Sequence, residues 1–167
     1  MSEVLQNILQ KKRGAGFSII EIVIGAAIVA LVVTAIASAW QFYVKLGGQS
    51  TRTTQAALLI EEGGEALQYL RDKGWASNIG NLATNTTYYL IWNGTDYVTT
   101  ATPTLINNNY SRTVILSAVL RDASDNIATT GTADPNTRTA TLSIYPNLDT
   151  TTPILQAQML IHNVFQN

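Results

Sequence analysis

Between residues 17 and 40 the chain is apolar at almost every position: FSIIEIVIGAAIVALVVTAIASAW contains one charged residue, Glu21, and no proline. No polar stripe recurs at helical spacing, so this is not the face of a soluble amphipathic helix. At ~1.5 Å per residue a helix over these positions is about 36 Å long, enough to cross ~30 Å of hydrocarbon with some tilt. Beyond Trp40 the pattern turns mixed, with Gln41, Lys45, Gln49, Ser50 and Arg52, while Ala56, Leu59, Gly63, Leu67 and Leu70 recur at helical spacing. The reading is a transmembrane part over 17–40 and an amphipathic continuation over 41–74. Gly47-Gly48 interrupts it, either as a bend or loosened stretch, or as the end of one helix before a second begins near Ser50. Arg71 and Lys73 ahead of Gly74 mark the end, where cations meet the C-terminal dipole and a glycine caps.

Residues 75–167 read as a β-rich head. TYYLIW, Asn93-Gly94 and TDYVTT form a hairpin signal, because Asn-Gly tolerates positive φ. YSRTVILSAVL is a third run, followed by the turn-like DASDN; RTATLSIY is a fourth, after ADPNT. ILQAQMLIHNVF fits a last strand or a short helix, and the strand is preferred. The expected class is α+β: a long N-terminal helix packed on an antiparallel sheet of about four strands, with residues 56–70 covering the apolar face.

Composition narrows the chemistry. Ten Lys and Arg against 11 Asp and Glu give a formal charge of −1, so no nucleic acid partner is expected. There is no cysteine and one histidine, His162, which removes thiolate chemistry and leaves the commonest general base almost unrepresented. No nucleophile stands beside a base and no phosphate loop follows a strand, so neither an enzyme nor a cofactor is expected. Asp122, Asp125, Asn126 and Asp134 could suggest calcium, but they lack EF-hand spacing and turn formation explains them; no metal site is assigned. Glu61, Glu62 and Glu65 read as a solvated acidic face. Tyr88, Tyr89, Trp92 and Tyr97 read as strand packing rather than a binding surface. The sequons at Asn85, Asn93 and Asn109 are of the kind an Asn/Thr-rich chain yields by chance.

Lys11, Lys12 and Arg13 precede the apolar run, which keeps residues 1–16 cytoplasmic and sends the head outward. Three readings compete for the run. A secretory signal has an A-x-A-like site in Ala37-Ser38-Ala39, but the run is longer than an ordinary h-region and begins with a carboxylate. A plain anchor explains neither Glu21 nor Gly14-Ala15-Gly16. A charge at mid-bilayer costs roughly 2.5–3.5 kcal/mol on insertion scales, less near the interface, so Glu21 asks for a cation. Cleavage between Gly16 and Phe17 would create one, a new α-ammonium four residues before it. Without any neighbour, Glu21 would still suit the dipole of its own helix.

KKRGAG, then FSIIE and a long apolar helix, resembles the prepilin signature of type IV pilins and type II secretion pseudopilins, closely over residues 11 to about 40. Ser18 and Ile19 stand where Thr and Leu are more usual, and the proline often found near the position of Ser38 is missing. The resemblance implies cleavage after Gly16 by a prepilin peptidase, N-methylation of Phe17, and a role for Glu21 in assembly with other pilin or pseudopilin subunits. It also implies an inner-membrane assembly platform and the lipid bilayer as partners. Over 75–167 it is looser: EEGGEALQYLRDKGW, the Asn-Gly hairpin and DPNTR look like pieces of small minor pilins, and the C-terminal disulfide of many major pilins is absent. The expected function is a filament subunit, a minor pilin or pseudopilin, with its head outside the cytoplasmic membrane. The competing expectation is a membrane-anchored binding module that does not polymerise. Loss of residues 1–16 removes one acid and three bases, leaving 7 against 10 and a side-chain charge of −3.

Overall fold

The computed structural model describes residues 18–165. Two compact units divide the chain, Met1–Gly48 and Gln49–Asn167. A single helix, α1 (Ile19–Lys73), contributes to both, and no second helix starts near Ser50. Gly47 and Gly48 therefore neither end the helix nor begin another, since their cost of up to about 1 kcal/mol each is small beside the hydrogen bonds on either side.

Residues 19–48 are helical throughout and exposed on every side. The apolar side chains run from 45% exposed at Leu46 to 81% at Ile19. The helix is long and apolar enough to cross a membrane, with a mean hydropathy of 2.8 over its best window and none of that window buried. Its hydroxyls return to the backbone: Thr34 Oγ1 donates to Ala30 O, and Ser38 Oγ to Thr34 O at 2.9 Å. That local bond removes the cost of an unsatisfied donor in an apolar surround.

In the second unit, Ala56, Gly63, Leu67 and Leu70 of α1 are buried as their spacing predicts, Ala66 is buried with them, and Leu59 is only half-buried. Ala66, Leu67 and Leu70 lie in one core with Leu90, Val114, Leu116, Ala140, Leu142 and Ile161 of the sheet. At Gly74 the backbone turns out of the helix with φ 155°, wide of the left-handed helical cap expected there, and Gly74 N donates to Arg71 O at 3.2 Å. The one-turn α2 (Trp75–Asn78) and Ile79 add a buried indole and a buried aliphatic side chain to the same core.

The sheet has six strands rather than about four: β1 (Thr87–Trp92), β2 (Tyr97–Thr100), β3 (Tyr110–Arg121), β4 (Ile127–Ala128), β5 (Thr132–Pro146) and β6 (Leu155–His162). The order is β2-β1-β3-β5-β6 with β4 paired to the end of β3, and every pairing is antiparallel. Two features enlarge it beyond the periodic runs. β4 is only two residues long and leaves no periodicity to read. The stretch around RTATLSIY begins at Thr132 and takes in ADPNT as a bulge, because the register passes from Ala118↔Arg138 to Val119↔Asp134. Pro135, Asn136 and Thr137 have no partner on β3 there, although Thr137 pairs with His162 of β6, and such a bulge is where a sheet accepts proline.

The hairpin forms, but through a longer loop than Asn-Gly alone. Trp92 pairs with Tyr97, so residues 93–96 all lie in the connection. Asn93 Oδ1 accepts from the amides of Thr95 (3.0 Å) and Asp96 (2.9 Å), and Gly94 takes φ 100°. Asn93 thus acts by its side chain, as an Asx turn, while glycine alone supplies the positive φ.

Candidate functional site

The candidate residues divide between the exposed helix and the place where α1 crosses the sheet. Gly16 and Phe17 lie outside the described residues. Glu21 stands in the first turn of α1, where Ser18 O accepts from the amides of Glu21 (2.9 Å) and Ile22 (3.2 Å). A carboxylate here suits the positive end of the helix. Among the described residues Glu21 forms no ion pair, so the chain itself, as described, does not supply the cation. Next to this carboxylate comes a helix with apolar side chains on all sides. Such a surface has two stable surroundings, lipid tails or the packed side chains of other helices.

The crossing is organised by a residue that the sequence reading passed over. Arg112 points inward from β3 and is 1% exposed. Its Nε donates to Leu90 O (3.1 Å), Nη1 to Leu59 O (3.0 Å) and Nη2 to Glu62 Oε1 (3.3 Å). One guanidinium therefore ties β1, β3 and α1 together, with donors spread over a fixed plane as only arginine provides. A signal for it existed: Arg112, Val114 and Leu116 alternate in YSRTVILS, so the charge falls on the apolar face. Gly63 allows the approach, since a Cβ on it would lie 2.8 Å from Arg112 Cδ and 3.3 Å from Leu142 Cδ2.

Glu62 is thus more than part of a solvated acidic face. Its Oε1 also accepts from Tyr97 Oη at 3.1 Å, while Glu61 and Glu65 remain exposed. Desolvation, then the hydrogen bond to and charge of Glu62, raise the Tyr97 phenol above its ordinary value, partly offset by Arg112. Tyr97 meets the edge of Trp92 at 5.1 Å and of Tyr69 at 6.3 Å, and Lys73 both pairs with Asp96 and lies 5.9 Å from the Tyr69 ring. The packing expected of the four aromatics holds for Tyr88 and Tyr97 against the core and for buried Tyr89. Trp92 packs on its cross-strand partner Tyr97 and yet remains 54% exposed.

At the opposite end of the sheet, two of the acids considered for calcium, Asp122 and Asp134, are engaged by protein donors, while the Asp125 carboxylate is exposed and 3.6 Å from Arg121. Asp122 Oδ1 accepts from the amides of Ser124 (2.8 Å) and Asn126 (2.9 Å), which lowers its pKa. Asp134 accepts from Thr137 Oγ1 (2.7 Å), Arg121 Nε (2.7 Å) and the Asn136 amide (2.8 Å), which hold its carboxyl down to about 2. Thr137 spends its proton on Asp134, so His162 Nδ1, 2.9 Å away, is the donor in that contact. Arg121 also donates to Asp125 O at 2.8 Å, which puts a guanidinium in the midst of these oxygens. Among the described residues no group of three or more His, Asp or Glu is placed to hold a metal.

Compared with protein-family models, curated proteins and solved structures, the chain gives no match.

Proposed function

We propose that this chain is a structural subunit of a type IV pilus-like filament, a minor pilin or secretion pseudopilin. A prepilin peptidase cleaves it after Gly16 and methylates Phe17, and α1 holds it in the cytoplasmic membrane with the sheet-bearing unit outside. An inner-membrane platform then assembles it with other pilin or pseudopilin subunits. The observation that carries this reading is one continuous feature: KKRGAG-FSIIE stands at the start of a helix that carries Glu21 in its first turn and whose apolar side chains over residues 19–48 are exposed on every side. A monomeric anchor needs apolar length but no carboxylate near its start. A subunit that moves from lipid into a filament uses both, because apolar packing replaces lipid while the buried carboxylate takes a neighbour's α-ammonium.

The test is coexpression with a prepilin peptidase, followed by intact mass and N-terminal sequencing against a peptidase-free control. The expected product begins at N-methylated Phe17. An unprocessed chain would favour a membrane-anchored binding module, and a start at Trp40 would mean a secreted soluble product. With the assembly machinery present, Glu21→Ala is expected to leave the precursor inserted but to abolish incorporation into filaments; normal incorporation would refute the role given to Glu21.

A further inference from the structure

Trp92, whose side chain is largely exposed, lines a cavity of about 240 Å³ whose other walls are mixed. Glu62 on α1, Thr104 and Asn107 in the loop between β2 and β3, and buried Arg112 supply the polar part, and Ile91, Leu105 and Ile106 the apolar part. We propose that this cavity takes one pyranose ring of a neutral glycan. This does not depend on whether the chain polymerises.

A pyranose has one apolar C–H face and a rim of hydroxyls, each both donor and acceptor. The indole supplies a flat apolar surface, and its edge contact with Tyr97 steadies it. Glu62 supplies an acceptor: Oε1 is occupied by Arg112 and Tyr97, while Oε2 takes no hydrogen bond among the described residues. Thr104 gives its proton to Thr102 O at 3.0 Å and keeps its lone pairs. Asn107 offers donors and an acceptor in one exposed amide.

The loop is held in place rather than free. Ile106 N donates to Tyr110 O (2.6 Å) and Tyr110 N returns to Ile106 O (3.2 Å), with Asn107 and Asn108 at φ 50° and 57° between them. Positive φ at two successive residues suits asparagine or glycine, so the amide is presented by a backbone few residues adopt.

Charge and size choose the ligand. Arg112 offsets Glu62, so the cavity carries no net charge from that pair and favours neither an anion nor a cation. An aromatic ring beside a carboxylate could otherwise attract a quaternary ammonium. The volume falls below the roughly 300–1,000 Å³ of sites for drug-sized ligands, room for one ring rather than a long chain.

The experiment uses the full chain in a polyoxyethylene detergent, which carries neither sugar nor choline. The indole N–H resonance of Trp92, identified with Trp92→Phe, is followed while chitotetraose, cellotetraose, lactose, sialyllactose and choline are titrated. The expected result is a saturable shift of Trp92 with at least one neutral sugar, with the Trp75 resonance unmoved. That affinity should fall about tenfold in Asn107→Gly, which keeps the positive φ, or in Thr104→Val. Saturation transfer to the sugar should be lost in Trp92→Ala. No shift with any neutral sugar, a response to choline or only to sialyllactose, or binding unchanged in all three variants would overturn the proposal.

Discussion

Gly63 and Gly64 are neighbours on one helix, yet replacing each by alanine should have opposite effects. On propensity alone, Gly→Ala in a helix stabilises by up to about 1 kcal/mol. At Gly64 nothing opposes the gain, because the new Cβ would meet only Met159 Sδ at 3.7 Å, an ordinary contact. At Gly63 the same Cβ would come within 2.8 Å of Arg112 Cδ. That atom lies in the middle of a side chain that is 1% exposed and held at its end by three hydrogen bonds, so it has nowhere to swing. Overpacking a close-packed core costs typically about 1–3 kcal/mol, and any movement of the guanidinium weakens charge-assisted bonds in a desolvated site. With the propensity gain subtracted, the net expectation is a loss of up to about 2 kcal/mol for Gly63→Ala, more if the guanidinium moves, and a gain of up to about 1 kcal/mol for Gly64→Ala. Thermal unfolding of the full chain in detergent, followed by near-ultraviolet circular dichroism, reads both; at about 4 °C per kcal/mol the two variants should separate clearly. Equal stability of the two variants, or a Gly63→Ala protein more stable than wild type, would refute the account of the crossing.

Other outcomes follow from the same contacts. Arg112→Ala should cost about 2–5 kcal/mol, because it empties a buried position and removes the bonds to Leu59 O, Leu90 O and Glu62, whereas Arg112→Met, which refills the volume without the donors, should recover part of the loss; urea titration of the two variants measures the difference. The depressed pKa of Asp134 stabilises the fold above the ordinary carboxylate range near pH 4, and this contribution is lost as pH falls from there through about 2. Asp122 and Asp149 act in the same direction, so unfolding midpoints should drop between pH 5 and about 2, and Asp134→Asn should flatten part of that slope. Gly131→Ala should be strongly destabilising, since φ 145° is rare for other residues and a Cβ would fall on the carbonyl of Arg121; loss of amide-exchange protection at β4 and the start of β5 would locate the damage.

Much of the architecture was readable along the chain because it depends on local periodicity. An apolar run of membrane length, the recurrence of Ala56, Leu59, Gly63, Leu67 and Leu70, and the strand runs YSRTVILSAVL and RTATLSIY each need only their own segment to be recognised, whereas ILQAQMLIHNVF fitted either a strand or a short helix until β5 paired with it. Turn chemistry was readable in part: Asn93 and Gly94 sit in the hairpin connection, but the loop extends to Asp96 because the Asn93 side chain captures two amides.

Packing between distant segments decided the rest. A solvated acidic run became a set of unequal carboxylates, because only Glu62 lies within reach of Arg112, 50 positions away along the chain. ADPNT joined a strand because its partner, β3, continues beyond Ala118 and the extra residues could be absorbed as a bulge. The carboxylates of Asp122 and Asp134 were drawn into bonds with backbone amides, Thr137 and Arg121, an outcome spacing cannot reveal because Arg121 and Thr137 reach Asp134 only through the fold. Trp92 was left exposed although Leu90 and Tyr88 of the same strand are packed on the core. Local order follows from side-chain pattern, whereas a buried charge, a glycine contact and an open indole arise only when the helix and the sheet compete for the same space.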